Sequence, residues 1–148
     1  MNSTKAILLV EDNPSDADLT RRALAKGHIS NELVVAEDGQ EALDYLRGEG
    51  AYTGRATSET PLVILLDLKL PKVSGLEVLR LIRADARLRR VPVVILTSSK
   101  EEEDVGAGYD LGVNSYVRKP VDFKEFQAAI ANLGLYWLIL NEPSPPVK

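Results

Sequence analysis

Five side chains carry the chemistry this sequence offers: Glu11, Asp12, Asp67, Thr97 and Lys119. Each stands at the end of a short strand-like run: AILLV before Glu11, LVILL before Asp67, VVIL before Thr97 and SYVR before Lys119. Residues at the C-terminal tips of parallel strands sit where open α/β sheets bind ligands. Three carboxylates brought to one edge repel one another and call for a cation. An all-oxygen donor set, in a chain with no Cys and a single His, favours Mg²⁺ or Mn²⁺ over zinc. The Lys119 ammonium and the Thr97 hydroxyl complete a site suited to a phosphoryl group. Metal and ammonium neutralise its oxygens, and Asp67 is the in-line nucleophile. Taken singly, these residues have plainer readings. Acids at strand ends often only cap helices, Thr is a common cap, and Lys119 alone is an ordinary surface lysine.

The elements that must hold these residues follow from the hydrophobic pattern. Leu62 to Leu66 is an unbroken apolar run, as expected of a strand buried on both faces, and Pro71 and Gly75 mark the turn into the next helix. Ala6 to Val10 reads as a strand of the same kind. A helix starts at Pro14, capped by Asn13 or Ser15, with Leu19, Ala23 and Leu24 toward the sheet until Gly27 closes it. Glu32 to Ala36 is a short strand, and Gly39 to Arg47 a helix with Ala42, Leu43 and Leu46 on one face.

Gly48 to Thr60 (GEGAYTGRATSET) shows neither period and reads as a mobile loop. Gly75 to about Asp85 is a helix carrying Leu76, Leu79 and Ile82 inward, and Val93 to Leu96 is a fourth strand. The helix expected over Lys100 to Leu111 is weak, because Gly106 and Gly108 each cost roughly 1 kcal/mol against Ala. Ser115 to Arg118 is a fifth strand. The last helix, from Asp122, sets Phe123, Phe126, Ile130, Leu133 and Trp137 in one apolar stripe. Beyond Leu133, the residues Leu135, Tyr136, Leu138, Ile139 and Leu140 exceed what one helix face buries, which points to a homodimer or partner interface through Phe126, Leu133, Tyr136, Trp137, Leu138 and Ile139. Five strands alternating with five helices predict an α/β, doubly wound parallel sheet. Residues 1–140 form a single domain with an aromatic C-terminal helix extension, and 141–148 an extended Pro-rich tail.

Bulk properties narrow the classes. The 148 residues carry a formal net charge of -4, so there is no general basic field for nucleic acid. The apolar run near the start is too short for a signal peptide, and no run approaches a membrane span, so a soluble cytoplasmic protein is expected. Without Cys there is no disulfide or thiolate chemistry. His28, the one histidine, follows Gly27 at a helix end and reads as a dipole contact or an exposed side chain.

In order and context, Glu11-Asp12, Asp67 with Pro71 and Gly75 behind it, Thr97-Ser98 and Lys119-Pro120 resemble the receiver domain of two-component response regulators. The resemblance spans about Lys5 to Leu133. The long loop after the second helix, the GLEVLRLIR helix and the aromatic C-terminal extension look most like the stand-alone regulators that partner bacterial phytochromes. The resemblance implies a flavodoxin-like (β/α)5 receiver fold and a phosphoacceptor rather than an enzyme, with at most intrinsic autophosphatase activity. It implies that Asp67 takes a phosphoryl group from a sensor histidine kinase. Glu11, Asp12, Asp67 and the backbone carbonyl of Lys69 would bind Mg²⁺ or Mn²⁺, Thr97 would hydrogen-bond the phosphoryl group and Lys119 would pair with it. Tyr116 occupies the family's aromatic switch position, and the Lys119-Pro120 bond is expected to be cis. Lys69 and Ser99 lie two positions beyond the acceptor and the switch Thr. Neither supplies a carboxylate or amide to orient water, so slow self-dephosphorylation is expected. The chain is expected to end without an output domain, so it would signal to a downstream protein or a phosphotransfer protein.

Two other classes compete with this one. Phosphatases of the haloacid dehalogenase type need a second Asp two residues after the nucleophile, where this chain has Lys69. A phosphorylation-independent adaptor acting through the C-terminal aromatics leaves the acidic residues without a purpose.

Overall fold

The computed structural model describes residues 5–26, 31–68, 70–97 and 115–118, together with Lys124 and Ala128, which are helical and exposed. The expected helix over Lys100 to Leu111 and almost all of the last helix with its aromatic extension lie outside them. So do Lys69, Ser99, Lys119, Pro120, Phe126, Leu133, Tyr136, Trp137, Leu138 and Ile139. Of Thr97 and Ser115 to Arg118 the backbone alone is described.

In chain order the elements are β1 (Ile7–Val10), α1 (Pro14–Lys26), β2 (Leu33–Ala36), α2 (Gly39–Arg47), β3 (Val63–Leu66), α3 (Gly75–Ala84), β4 (Val93–Thr97) and β5 (Ser115–Arg118). The five strands pair in parallel in the order β2-β1-β3-β4-β5. This is the flavodoxin-like order, with its switch point beside β1.

The apolar runs are unbroken because the sheet is covered on both faces. Alternate residues divide between two cores. Leu8, Val10, Ile64, Leu66, Val93 and Ile95 meet Ala42, Leu43 and Leu46 of α2 and Val78, Leu79 and Ile82 of α3. Ile7, Leu9, Val63, Leu65, Val94 and Leu96 meet Ala17, Ala23 and Leu24 of α1. Each fully buried Leu or Ile contributes about 2–3 kcal/mol of transfer free energy, so strand register is strongly specified.

Helix faces differ in detail from expectation. Leu19 and Leu76 are only partly buried, whereas Ala17, Thr20, Tyr45 and Val78 are buried. Thr20 enters the interior because its hydroxyl donates to the Asp16 carbonyl one turn back, at 3.1 Å.

Residues 48–60 hold more local structure than a plain loop. They contain a 3-10 turn at Gly50–Tyr52 and are pinned by side chains. The Arg55 guanidinium lies 4.1 Å from the Tyr45 ring centroid. Its Nε donates to the Tyr45 carbonyl at 2.7 Å, and its Nη1 donates to the carbonyls of Ala56 and Glu59. Tyr52 stacks edge-on against Tyr45 and donates its hydroxyl to Glu41 Oε2 at 2.6 Å. From across the fold, Arg87 donates to the carbonyls of Thr57 and Leu46, each at 2.6 Å. Two cations thereby cap the carbonyl end of α2. Such anchors leave no periodic trace in the sequence.

Candidate functional site

The expected cluster forms at the C-terminal edge of the sheet. One carboxylate oxygen from each of Glu11, Asp12 and Asp67 lies within 4.8 Å of the others. Glu11 and Asp67 are only 3% and 7% exposed, and Asp12 is exposed.

The strand ladder fixes their backbones. Val10 is level with Ala36 on one side and Leu66 on the other. The ladder then continues one rung: Glu11 N–H donates to the Ala36 carbonyl at 2.9 Å and Asp67 N–H to the Val10 carbonyl at 3.1 Å. Two of the three acids thus start from paired backbone, and their separation is a property of sheet geometry.

Asn13, not Ser15, caps α1. Its Oδ1 accepts from the N–H groups of Ser15 and Asp16 at 2.9 and 3.2 Å, and its own N–H donates to Glu11 Oε2 at 3.3 Å. The cap and the acidic residue are therefore parts of one turn. A cleft of about 310 Å³ opens beside it, lined by Glu11, Asp12, Asp18, Arg21, Val35 and Glu37 among others.

Leu66 is level with Ile95 and Thr97 with Arg118. Continued past Leu66, that register sets Thr97 one step further out than Asp67. Tyr116 is level with Ile95. The side chains of Thr97 and Tyr116, with Lys69, Lys119 and Pro120, fall outside the described residues.

The turn from β3 to α3 closes tightly on the Asp67 peptide. Gly75 N–H donates to the Leu68 carbonyl at 2.9 Å, and a Cβ on Gly75 would come 2.2 Å from the Asp67 carbonyl oxygen. Only glycine fits there. Ser74 caps α3, accepting from Glu77 N–H at 3.2 Å.

The sequence reading missed Asp38, Gly39 and Lys72. Asp38 caps α2 by accepting from Glu41 N–H at 2.7 Å, and Glu41 in turn accepts from Glu37 N–H at 2.9 Å. The Asp-x-x-Glu spacing is a capping-box signature and was available in the sequence. The Asp38 carboxyl is held below its ordinary range, chiefly by the Glu41 N–H and then by Lys72, whose Nζ lies 3.4 Å from Oδ2. Lys72 has φ +67°, a left-handed conformation that costs a side-chain-bearing residue roughly 1–2 kcal/mol. Nothing in its residue type announces that.

A doubly wound parallel sheet with three carboxylates gathered at its carboxyl edge is the architecture of a phosphoacceptor domain of the receiver type. The chain belongs to the response regulator receiver domain family, whose model matches residues 7–131, and it is a phosphoryl-accepting response regulator. It is 41% identical over 137 residues to the response regulator Rcp1 of Synechocystis sp., covering 93% of this chain and 91% of that one. A crystal structure of the Mn(2+)-bound form of Rcp1 superimposes with a TM-score of 0.86 at 38% identity, over 95% of this chain and 99% of that one. The phosphorylated cyanobacterial phytochrome response regulator RcpA superimposes with a TM-score of 0.88 at 40% identity, covering 96% and 99%. The bacteriophytochrome response regulator RtBRR is 57% identical with a TM-score of 0.78, covering 97% and 86%. Among the described residues, no helix is long and apolar enough to cross a membrane.

Proposed function

We propose that Asp67 accepts a phosphoryl group from a phosphohistidine of a sensor kinase, and that the chain signals through contacts with other proteins. A carboxylate oxygen of Asp67 attacks phosphorus in line. The P–N bond to the imidazole breaks, the electron pair leaves with the ring nitrogen, and an acyl phosphate remains on Asp67. The observation that carries this reading is the approach of the Glu11, Asp12 and Asp67 carboxylates to within 4.8 Å. Two of them are buried and all three are hard oxygen donors, a set that fits Mg²⁺ or Mn²⁺. Such an ion, held by these residues and the Lys69 carbonyl, would supply positive charge to the phosphoryl oxygens. Asp67 is buried at the strand end, and the ladder bond from its N–H fixes the backbone from which its carboxylate extends. Thr97 donates its hydroxyl to the phosphoryl group, Lys119 pairs with it and Tyr116 reports the change.

The partner is a phytochrome-type kinase, a choice supported by the relatives described as phytochrome and bacteriophytochrome response regulators. The setting is cytoplasmic, and the aromatic C-terminal region is the site of homodimer formation. The protein acts as a phosphoacceptor, not as an enzyme turning over a free substrate.

The test is incubation with acetyl phosphate and Mg²⁺ followed by intact mass measurement. Wild-type protein gains one phosphoryl group only with the metal, and Asp67→Asn gains none. Equal uptake by the Asn variant would remove Asp67 as the acceptor.

A further inference from the structure

β1 lies between β2 and β3 in the sheet. A contact between the turn leaving β2 and the turn leaving β3 therefore spans the width of β1 at the end where Glu11 and Asp12 emerge. Asp38 and Lys72 make such a contact at 3.4 Å. The two ends of this pair differ. The Asp38 side chain is 17% exposed and that of Lys72 68%, and the other Asp38 oxygen is committed to Glu41 N–H. The carboxylate is thus a fixed post, and the lysine arm reaches to it from a turn held in the left-handed region at Lys72.

The same turn is gripped on both sides. A Cβ on Gly39 would lie 2.1 Å from the Val73 carbonyl oxygen, and one on Gly75 would lie 2.2 Å from that of Asp67. The turn therefore touches the start of α2 on one side and the Asp67 peptide on the other. With no slack at either face, a displacement of the turn reaches Asp67 directly.

We propose that Asp38 and Lys72 are positioning residues for the acidic site, their ion pair forming a strap across β1 that sets the β3–α3 turn and with it the Asp67 peptide. The proposal rests on the reading of Glu11, Asp12 and Asp67 as the metal and phosphoryl site. The strap itself needs no metal, so metal-free protein can report on it.

The experiment compares wild type with Asp38→Asn, which keeps a cap acceptor and removes the charge, and with Lys72→Met, Lys72→Arg and the double variant Asp38→Asn/Lys72→Met. Amide exchange at Val73 and Gly75 is followed in metal-free protein, and Mn²⁺ binding by calorimetric titration well below the unfolding midpoint. In each charge-removing single variant we expect exchange at both amides to rise, and the Mn²⁺ affinity to fall, by about threefold, the scale of one partly exposed ion pair. Lys72→Arg restores wild-type values, and the double variant is no worse than either single one, as for two halves of one contact. A pair that merely stabilises the fold would lower the unfolding midpoint and leave Mn²⁺ affinity where it was. That result overturns the proposal, as do wild-type exchange at Val73 and Gly75 in both single variants and independent addition of the two effects. If wild-type protein takes up no Mn²⁺, the metal-site reading fails, and the exchange rates still decide the strap.

Discussion

At the carboxyl edge of the sheet three acids converge within 4.8 Å, whereas at the opposite edge three guanidinium groups, counted among the described residues, are directed at backbone carbonyls. Arg55 donates to Tyr45, Arg83 to Arg89 and Val91, and Arg87 to Leu46 and Thr57. Like charge gathered at one place is a demand for a ligand. Charge shared out among the orphan carbonyls of helix and loop ends answers a demand of the fold itself. Arg55 Nη2 is buried without a hydrogen-bond partner among the described residues, but its guanidinium lies over the Tyr45 ring, a contact that favours the cation. One edge is thus built to bind and the other to hold.

The sharpest way to break this division is to push on the binding edge through its backbone. Gly75→Ala forces a Cβ into the space 2.2 Å from the Asp67 carbonyl oxygen. We expect a stability loss of about 3 kcal/mol or more together with weakened Mn²⁺ binding, read by urea unfolding and by titration. A wild-type midpoint would mean that the turn has room the structure does not show.

Arg87→Met attacks the holding edge and should separate the two. It removes two charged-donor hydrogen bonds, so a loss of about 2–3 kcal/mol is expected, with Mn²⁺ affinity and phosphoryl uptake unchanged. Impaired uptake in a folded variant would show that the two edges are coupled.

The smallest effect is expected at Tyr52. Burial, and then the hydrogen bond to Glu41, push its phenol up from 10.0 to about 12. A raised folded-state value favours the neutral phenol. Its stabilisation is complete below the unfolded value near 10 and is lost as pH rises through about 12. Tyr52→Phe should cost about 1 kcal/mol at neutral pH and flatten this alkaline loss. Chemical unfolding at stepped pH would detect a slope that persists in the variant, which would assign the loss to other groups.

The binding edge was legible in the sequence to a degree the holding edge was not. Strand runs such as LVILL announce burial on both faces, and parallel strands bring the acids after β1 and β3 to one edge, while the neighbourhood of β1 and β3 comes from the structure. The bounds of α2 and β5 were read without error, since α2 is delimited by Gly39 and by Gly48 in the left-handed conformation. Tyr45 and Val78 were missed as core although both keep helical spacing, three residues after Ala42 and Gly75; the stripes read from Leu43 and Leu76 were set too narrow. The Arg55 and Arg87 anchors join residues up to 41 positions apart through backbone carbonyls, which every residue possesses and no pattern marks. Lys72 was missed for a related reason: a left-handed φ at a lysine leaves no mark in its residue type.

The pinned segment 48–60 also bears on how the protein is cut. With its Gly, Ser and Thr and a central Arg55, it has the composition of a site that a trypsin-like protease opens first. Such a protease must take the arginine side chain into its specificity pocket, and here that side chain lies over Tyr45 and is bonded to carbonyls of α2 and of the segment itself. Cleavage after Arg55 therefore waits for the guanidinium to withdraw from the end of α2, and slow cutting would report the local opening of segment 48–60.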